Sequence, residues 1–375
     1  MDFSLSEEQQ MLQSSVSKFI SQDYDWDSRQ VVVKSDAPFN AEHWKLFAEL
    51  GWLTVPFSEE DGGLGGSAVD LIVVMEELGK GLLIEPFLAN TVMAGGVVAA
   101  TAADEQKERL LGAVMDGSLQ LAFAYAETQS RYNLANVECR ASAEGEQYLV
   151  SGHKAVVLNG GAADKLVVVV RTEGDTMDRD GISLLLIDAD SDGITRRAYT
   201  TVDGQDAADI WFDKVSVPAA NLLGEAGSAI TVIESIIDRA ALAVCAEAVG
   251  AMEVALNKTV EYTKIRKQFN VTLSTFQALQ HRMARMFMET QQAKSILVMA
   301  AMEMDRLGGS APKALSAAKS RIGKAARLVG QEAVQIHGGI GVTDELDLGH
   351  YFKRLTTIQF LFGSTDFHTE RFSSL

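Results

Sequence analysis

Apolar residues recur at helical spacing through the first third of the chain. Met11, Leu12, Val16, Phe19 and Ile20 form one stripe; Trp44, Leu46, Phe47 and Leu50 form another. Ser4 and Ser6 stand ahead of the first stripe as candidate caps. Glu7 and Gln9, three residues on, complete the pattern of a capping box. Residues 56–66 read as a loop, 68–83 and 89–103 as buried helices, and 106–116 as a last helix. From residue 119 the pattern becomes β. Short runs rich in Val, Ile, Leu and aromatics occupy 119–127, 137–143, 148–151, 165–171, 182–188, 194–199 and 209–217, separated by turn residues. They predict a small barrel or sandwich of about one hundred residues. Residues 174–181 make a hydrophilic hairpin loop. Long apolar-faced helices return at 228–264, 274–307, 311–337 and 346–357, as in an antiparallel four-helix bundle. Gly308–Pro312 is the clearest turn there, with Ser310 a candidate cap and Pro312 in the first helical turn. The expected domains are 1–118 (helical), 119–227 (β) and 228–375 (helical bundle).

Composition narrows the function. A chain of 375 residues, 47% hydrophobic and 22% charged, has ample core for two or three globular domains. The net charge of −18 argues against nucleic acid and against an anionic membrane surface. It also opposes long-range attraction of an anionic ligand, which needs a local basic patch. Cys139 and Cys245 are far apart, so free thiols in a reducing, cytoplasmic setting are expected. The start, MDFSLSEEQQ, is acidic before any apolar run, so no secretory signal is expected. No apolar run reaches 18 residues, so no membrane span is expected. The six histidines lack metal-ligand spacing.

The most informative stretch is 329–345, VGQEAVQIHGGIGVTDE. Val329, Ala333, Val334 and Ile336 end a buried helix, which breaks into His337-Gly338-Gly339-Ile340-Gly341. Free N–H groups in such a turn suit a phosphate or pyrophosphate, and Gln335 can add a side-chain amide. Alone, the stretch reads better as a glycine stop to a helix. The Gly62–Gly66 run (GGLGG) follows no strand of a βαβ unit and carries little weight as a nucleotide loop.

Other segments change that balance. Arg266-Lys267-Gln268-Phe269-Asn270 and Phe276-Gln277-Ala278-Leu279-Gln280-His281 precede Gln335-Ile336-His337-Gly338-Gly339. With Phe3–Gln9, Leu50-Gly51-Trp52, Glu59–Gly66 and Phe212–Pro218, they make nearly the whole chain resemble the acyl-CoA dehydrogenase family. Within it, the chain resembles the small-subunit branch of the pimeloyl-CoA dehydrogenases. The resemblance implies a helical domain, a β domain and a four-helix bundle. It also implies FAD, an acyl-CoA substrate, electron-transfer flavoprotein as partner, and a role in lipid degradation. In such enzymes a carboxylate takes the α proton while the β hydrogen leaves as hydride to the flavin.

Residue by residue, the resemblance is uneven. The commoner base position falls on Phe362 and the alternative on Ala240, with Ala241 where the family has Arg. Neither position titrates. Asp366, Asp238 and Glu234 lie near in sequence, and Asp366 is the first candidate for a displaced base. On the flavin side, the ring-stacking Trp has become Val156, the Thr that reaches flavin N5 has become Leu158, and a Gly-Ser-Asp turn is missing after Phe123–Glu127. The residues that meet the ADP half of a neighbouring subunit's FAD are kept: Arg266, Gln268, Phe269, Gln277, Gln335, Gly338, Gly339 and Gly341. Asn270 and Thr272 replace a Gly and a Pro. The pattern implies a non-catalytic subunit of a heterotetramer, sharing FAD with a paralogous large subunit. Phe276, Met283, Met286, Phe287 and Met288 are candidates for the interface. Two other readings stand beside it: a homomeric enzyme with a displaced base, and a flavin-free scaffold. No metal is expected.

Overall fold

The computed structural model describes residues 5–35 and 37–375; the Phe3 and Ser4 readings fall outside the described residues. The chain forms two compact units. One joins residues up to Gln30 with Ser67–Leu83 and Ala241–Leu375; the other joins Val31–Gly66 with Ile84–Ala240.

In the first unit, Ser6 caps α1 (Glu7–Gln22). Its hydroxyl accepts from the Gln9 amide while the Gln9 side chain accepts from the Ser6 amide, so the expected box forms. α2 (Trp26–Val33) follows and leads into the second unit, which holds α3 (Ala41–Glu49). α4 (Ala68–Gly81) returns to the first unit and packs on α1. The bundle helices are α7 (Ile230–Ile265, which passes from the second unit into the first at Ala241), α8 (Gln277–Arg306), α9 (Pro312–His337) and α10 (Leu348–Ile358). A further helix, α11 (Thr365–Ser374), lies against α9 and was not expected. Its sequence is almost wholly polar and buries only His368, so it shows no apolar stripe. α9 begins at Pro312, but Ser310 does not cap it: the cap position is Ala311, without a side-chain bond. α7 contains a window long and apolar enough to cross a bilayer. The rule of an unbroken apolar run passes over it, but most of the window is buried inside the protein, as in a core helix.

The second unit also holds a π-helical segment (Phe87–Gly95) running into α5 (Gly96–Thr101), then α6 (Asp104–Met115) and the sheet. The strands are β1 (Leu121–Ala124), β2 (Arg140–Glu144), β3 (Gln147–Leu158), β4 (Lys165–Arg171), β5 (Ile182–Asp188), β6 (Ile194–Thr200), β7 (Asp206–Pro218) and β8 (Leu222–Leu223). They pair in the order β6-β7-β3-β2-β4-β5-β8, and β1 lies parallel to β4. Inward side chains such as Val150, Val168, Leu185, Ile210 and Val215 meet in one core. Burying each contributes about 1.5–3 kcal/mol.

β3 runs well past the expected end at Ser151, because Gly152 lets the strand continue directly over Cys139. The loop between β4 and β5 is tied down by Arg171. Its buried guanidinium donates to the carbonyls of Ala135, Val137, Glu173, Thr176, Asp178 and Asp180 at 2.8–3.2 Å. Backbone oxygens replace the water this cation gives up.

Candidate functional site

The ADP-side candidates gather at one end of the first unit. α7 ends at Ile265, and the chain makes a two-residue hairpin, β9 (Lys267–Gln268) with β10 (Val271–Thr272). Phe269 and Asn270 form its tip with φ of +53° and +64°. Two left-handed residues make the turn that matches strand twist, usually built from Asn-Gly or Gly-Gly. Asn270 tolerates the conformation; Phe269 adopts it at a cost of about 1 kcal/mol. Its ring is 87% exposed and touches Phe276 edge-on at 6.3 Å. Arg266 and Gln268 flank it in solvent, and Gln277 opens α8 just beyond.

The glycine turn sits beside this hairpin. Tyr262, one helical turn before Arg266, stacks on His337 at 4.2 Å and donates its hydroxyl to the His337 carbonyl at 3.3 Å. Thr263 reaches Met283 at 3.5 Å, which holds α8 to the same end. Gln335, Gly338 and Gly339 are exposed, whereas Gly341 is buried against Val334 and His337. Burial holds the His337 imidazole below its usual value, so the residue next to the glycines stays neutral near pH 7. This end thus offers the exposed main chain of the glycine turn, three side-chain amides (Gln268, Gln277 and Gln335) and the exposed guanidinium of Arg266, a set suited to a pyrophosphate.

The catalytic candidates are distributed differently. Phe362 is buried in the turn between α10 and α11, with φ of +57°. Ala240 and Ala241 are buried in α7. Asp366 lies in the first turn of α11, where a carboxylate suits the helix N-terminus. Glu234 is held by Arg179 through two bonds of 2.8 and 2.9 Å, and Asp238 is buried. Of the apolar interface candidates on α8 and at its N-cap, Met286 is fully buried and is core. Phe287 and Met288 are each more than half exposed, and Phe276 and Met283 are less open.

In the second unit, the stretch from Phe123 to Asn133 folds without an extended glycine turn. Ser130 bonds back to Glu127, and Arg131 is left-handed. Glu127 pairs with Lys154 at 2.6 Å, both buried, and also accepts from the amides of Glu138 and Cys139. Burial pushes the Glu127 carboxyl up, but Lys154 and the amide donors outweigh it, so it lies below its usual range. This pair fixes β3 beside the end of β1, where Ala155 donates to Ala126. A bulge follows, and Val156 sits in it with φ of +51° and half its surface exposed. For a β-branched residue that is a genuine outlier. The Val156 amide is taken by the Asp209 carboxylate at 3.0 Å, which also accepts from the Tyr199 hydroxyl. Leu158 is half-buried two residues on. Neither Val156 nor Leu158 has a ring to stack or a hydroxyl to donate.

Sequence reasoning missed the Glu127–Lys154 pair, whose partners are 27 residues apart, and the buried Lys319 described below. Neither has a local signal. Both cysteines are free and buried, and burial pushes their thiols up to about 11 for Cys139 and about 12 for Cys245. No cluster of three or more His, Cys, Asp or Glu suited to a metal occurs among the described residues.

The helix–sheet–helix order and the glycine turn have counterparts in known proteins. The acyl-CoA dehydrogenase N-terminal, middle and C-terminal domain models match residues 6–118, 122–215 and 227–373. The chain belongs to the acyl-CoA dehydrogenase family, whose cofactor is FAD and whose chemistry is oxidoreduction at CH–CH bonds. It is 29% identical over 350 residues to the probable acyl-CoA dehydrogenase YngJ of Bacillus subtilis, covering 92% of this chain and 91% of that protein. A crystal structure of an acyl-CoA dehydrogenase from Geobacillus kaustophilus is 27% identical, with a TM-score of 0.90 and coverage of 100% and 99%. A Tcur3481–Tcur3483 steroid ACAD variant is 28% identical, with a TM-score of 0.86 and coverage of 98% and 97%. The residues here fit FAD unequally: the exposed Arg266–Gln335–glycine end suits its diphosphate, whereas Val156 and Leu158 offer its ring system no partner.

Proposed function

We propose that this chain is the supporting subunit of a heteromeric, FAD-dependent acyl-CoA dehydrogenase. It contributes the ADP-side contacts to FAD seated in a paralogous large subunit, which supplies the ring pocket, the base and the substrate site. Electron-transfer flavoprotein is the acceptor, and an acyl-CoA thioester is the substrate. The observation that carries the reading is the contrast between the exposed set Arg266, Phe269, Gln335 and Gly338 and the exposed Val156 in its bulge. A scaffold has no use for the former, and a self-sufficient enzyme needs more than the latter. The similar Tcur3481–Tcur3483 steroid ACAD carries a double designation, which supports a pairing of the same kind. We also place the chain with the small-subunit branch of the pimeloyl-CoA dehydrogenases that its sequence resembles, which has the same arrangement.

The test is to purify the chain alone and together with a paralogue carrying Trp and Glu at the vacated positions. Flavin absorbance per chain and native mass are then recorded. One FAD per pair of unlike chains, with none on this chain alone, is the expected result. One FAD per chain in a homo-oligomer overturns it and turns attention to Asp366→Asn.

A further inference from the structure

Lys319 lies on α9, 1% exposed, and among the described residues it meets no carboxylate. Its ammonium donates to the carbonyls of Ile358 and Gly363 at 2.9 Å each and reaches that of Gln359 at 3.5 Å. All three oxygens belong to the end of α10 and the turn that follows. His368, on α11 and equally buried, contacts the Phe362 carbonyl with Nε2 at 2.9 Å. That atom must carry the proton, because a carbonyl only accepts, so Nδ1 accepts from the Ser316 hydroxyl at 3.3 Å. Gly363 has φ of +117°, and a Cβ there would lie 2.4 Å from His368 Nε2. The turn therefore requires glycine, and the imidazole stands directly against it.

A buried ammonium without a counter-ion is costly, and only oxygens in place of its water offset that cost. The C-terminal carbonyls of α10 do so, with the sign the helix dipole favours. The outcome is a turn fixed from two sides. Phe362, at its centre, is buried and left-handed. A left-handed, buried residue held by its surroundings is the kind of strain found where a side chain is presented for chemistry.

We infer that Lys319 and His368 are positioning residues for position 362, so that the chain retains the mount for a carboxylate base that it does not carry. The inference rests on the proposed reading of 362 as a vacated base position. Phe362→Glu and the uncharged, same-shaped Phe362→Gln test it in the full chain. The carboxyl introduced by Phe362→Glu is followed by carbon NMR across pH, alone and combined with Lys319→Gln, His368→Gln or His368→Leu.

Both single variants are expected to fold, and the introduced carboxyl to titrate away from the ordinary glutamate midpoint of about 4.3. Lys319→Gln removes a neighbouring positive charge and raises that midpoint by about one pH unit. His368→Gln, which keeps an N–H for the 362 carbonyl, preserves the single midpoint, and His368→Leu does not. Because the charge of Lys319 moves that midpoint whatever its role, the positioning role is read from the rescue, in which His368→Gln keeps the single midpoint and His368→Leu loses it. A carboxyl at position 362 that titrates as a free glutamate, or that ignores Lys319→Gln, overturns the inference. So does a site that fails to fold with Glu or with Gln. The subunit reading is decided separately, by flavin stoichiometry in the unsubstituted chains.

Discussion

His368 is neutral, buried and faced by cations, and that makes its protonation expensive. Burial pushes its imidazole down to about 4; Lys319 and Arg371 act in the same direction, and the Phe362 carbonyl opposes them. The unfolded chain takes up this proton near pH 6.5, the folded one only near 4. Between those values the unfolded state binds more protons, so stability is fully present above 6.5 and falls as pH drops towards 4. The loss amounts to on the order of 3 kcal/mol if His368 is fully protonated only on unfolding. Thermal unfolding followed at pH 7 and pH 5 is expected to show a drop in Tm that His368→Gln largely removes. An equal drop in the variant would assign the effect to other groups. Little of this was legible beforehand. Lys319 and His368 stand on different helices and meet around one turn only because α11 folds onto α9.

Elements with a strong pattern were easier to read than those without. β4 and β5 lie where their apolar runs place them, since a strand buried along its length is apolar along its length. The long bundle helices follow from their stripes in the same way. The second half of β3 escaped notice because its half-exposed run GHKAVVL does not alternate, owing to the buried Lys154 and the bulge at Val156. The β9–β10 hairpin escaped too, since Phe-Asn is not a recognised tip for a two-residue turn. That departure leads to a prediction. Phe269→Asn gives the first tip position a residue that tolerates the left-handed conformation. The chain alone is expected to gain up to about 1 kcal/mol in denaturant unfolding. The same change removes an 87% exposed ring, so assembly with the partner, read by native mass across a dilution series, is expected to weaken. If Phe269 were merely a tolerated surface residue, stability would rise with no change in assembly.

At the scale of the molecule, the fold class was legible because helix and strand periods segregate along the chain. The candidate site was legible only as an inventory of residue types. That Arg266 and Gln335 share one end depends on Tyr262 stacking on His337, a contact across 75 residues. This shared end also separates the two catalytic readings. In a supporting subunit, Arg266 acts on FAD held elsewhere, so Arg266→Ala leaves the isolated chain unchanged in stability and spectrum. In the mixed assembly the same substitution removes a charge-assisted contact, and FAD affinity is expected to fall about tenfold or more. The affinity lost should shrink as salt rises, because an exposed guanidinium is screened within about 8–10 Å at physiological ionic strength. Gln335→Ala, which removes an uncharged donor at the same end, is expected to cost less and to show no such salt dependence. Flavin release from the mixed assembly, followed by fluorescence at two salt concentrations, measures both. Equal losses for the two variants, or a loss already present in the chain by itself, would mean that Arg266 serves its own unit rather than a partner's cofactor.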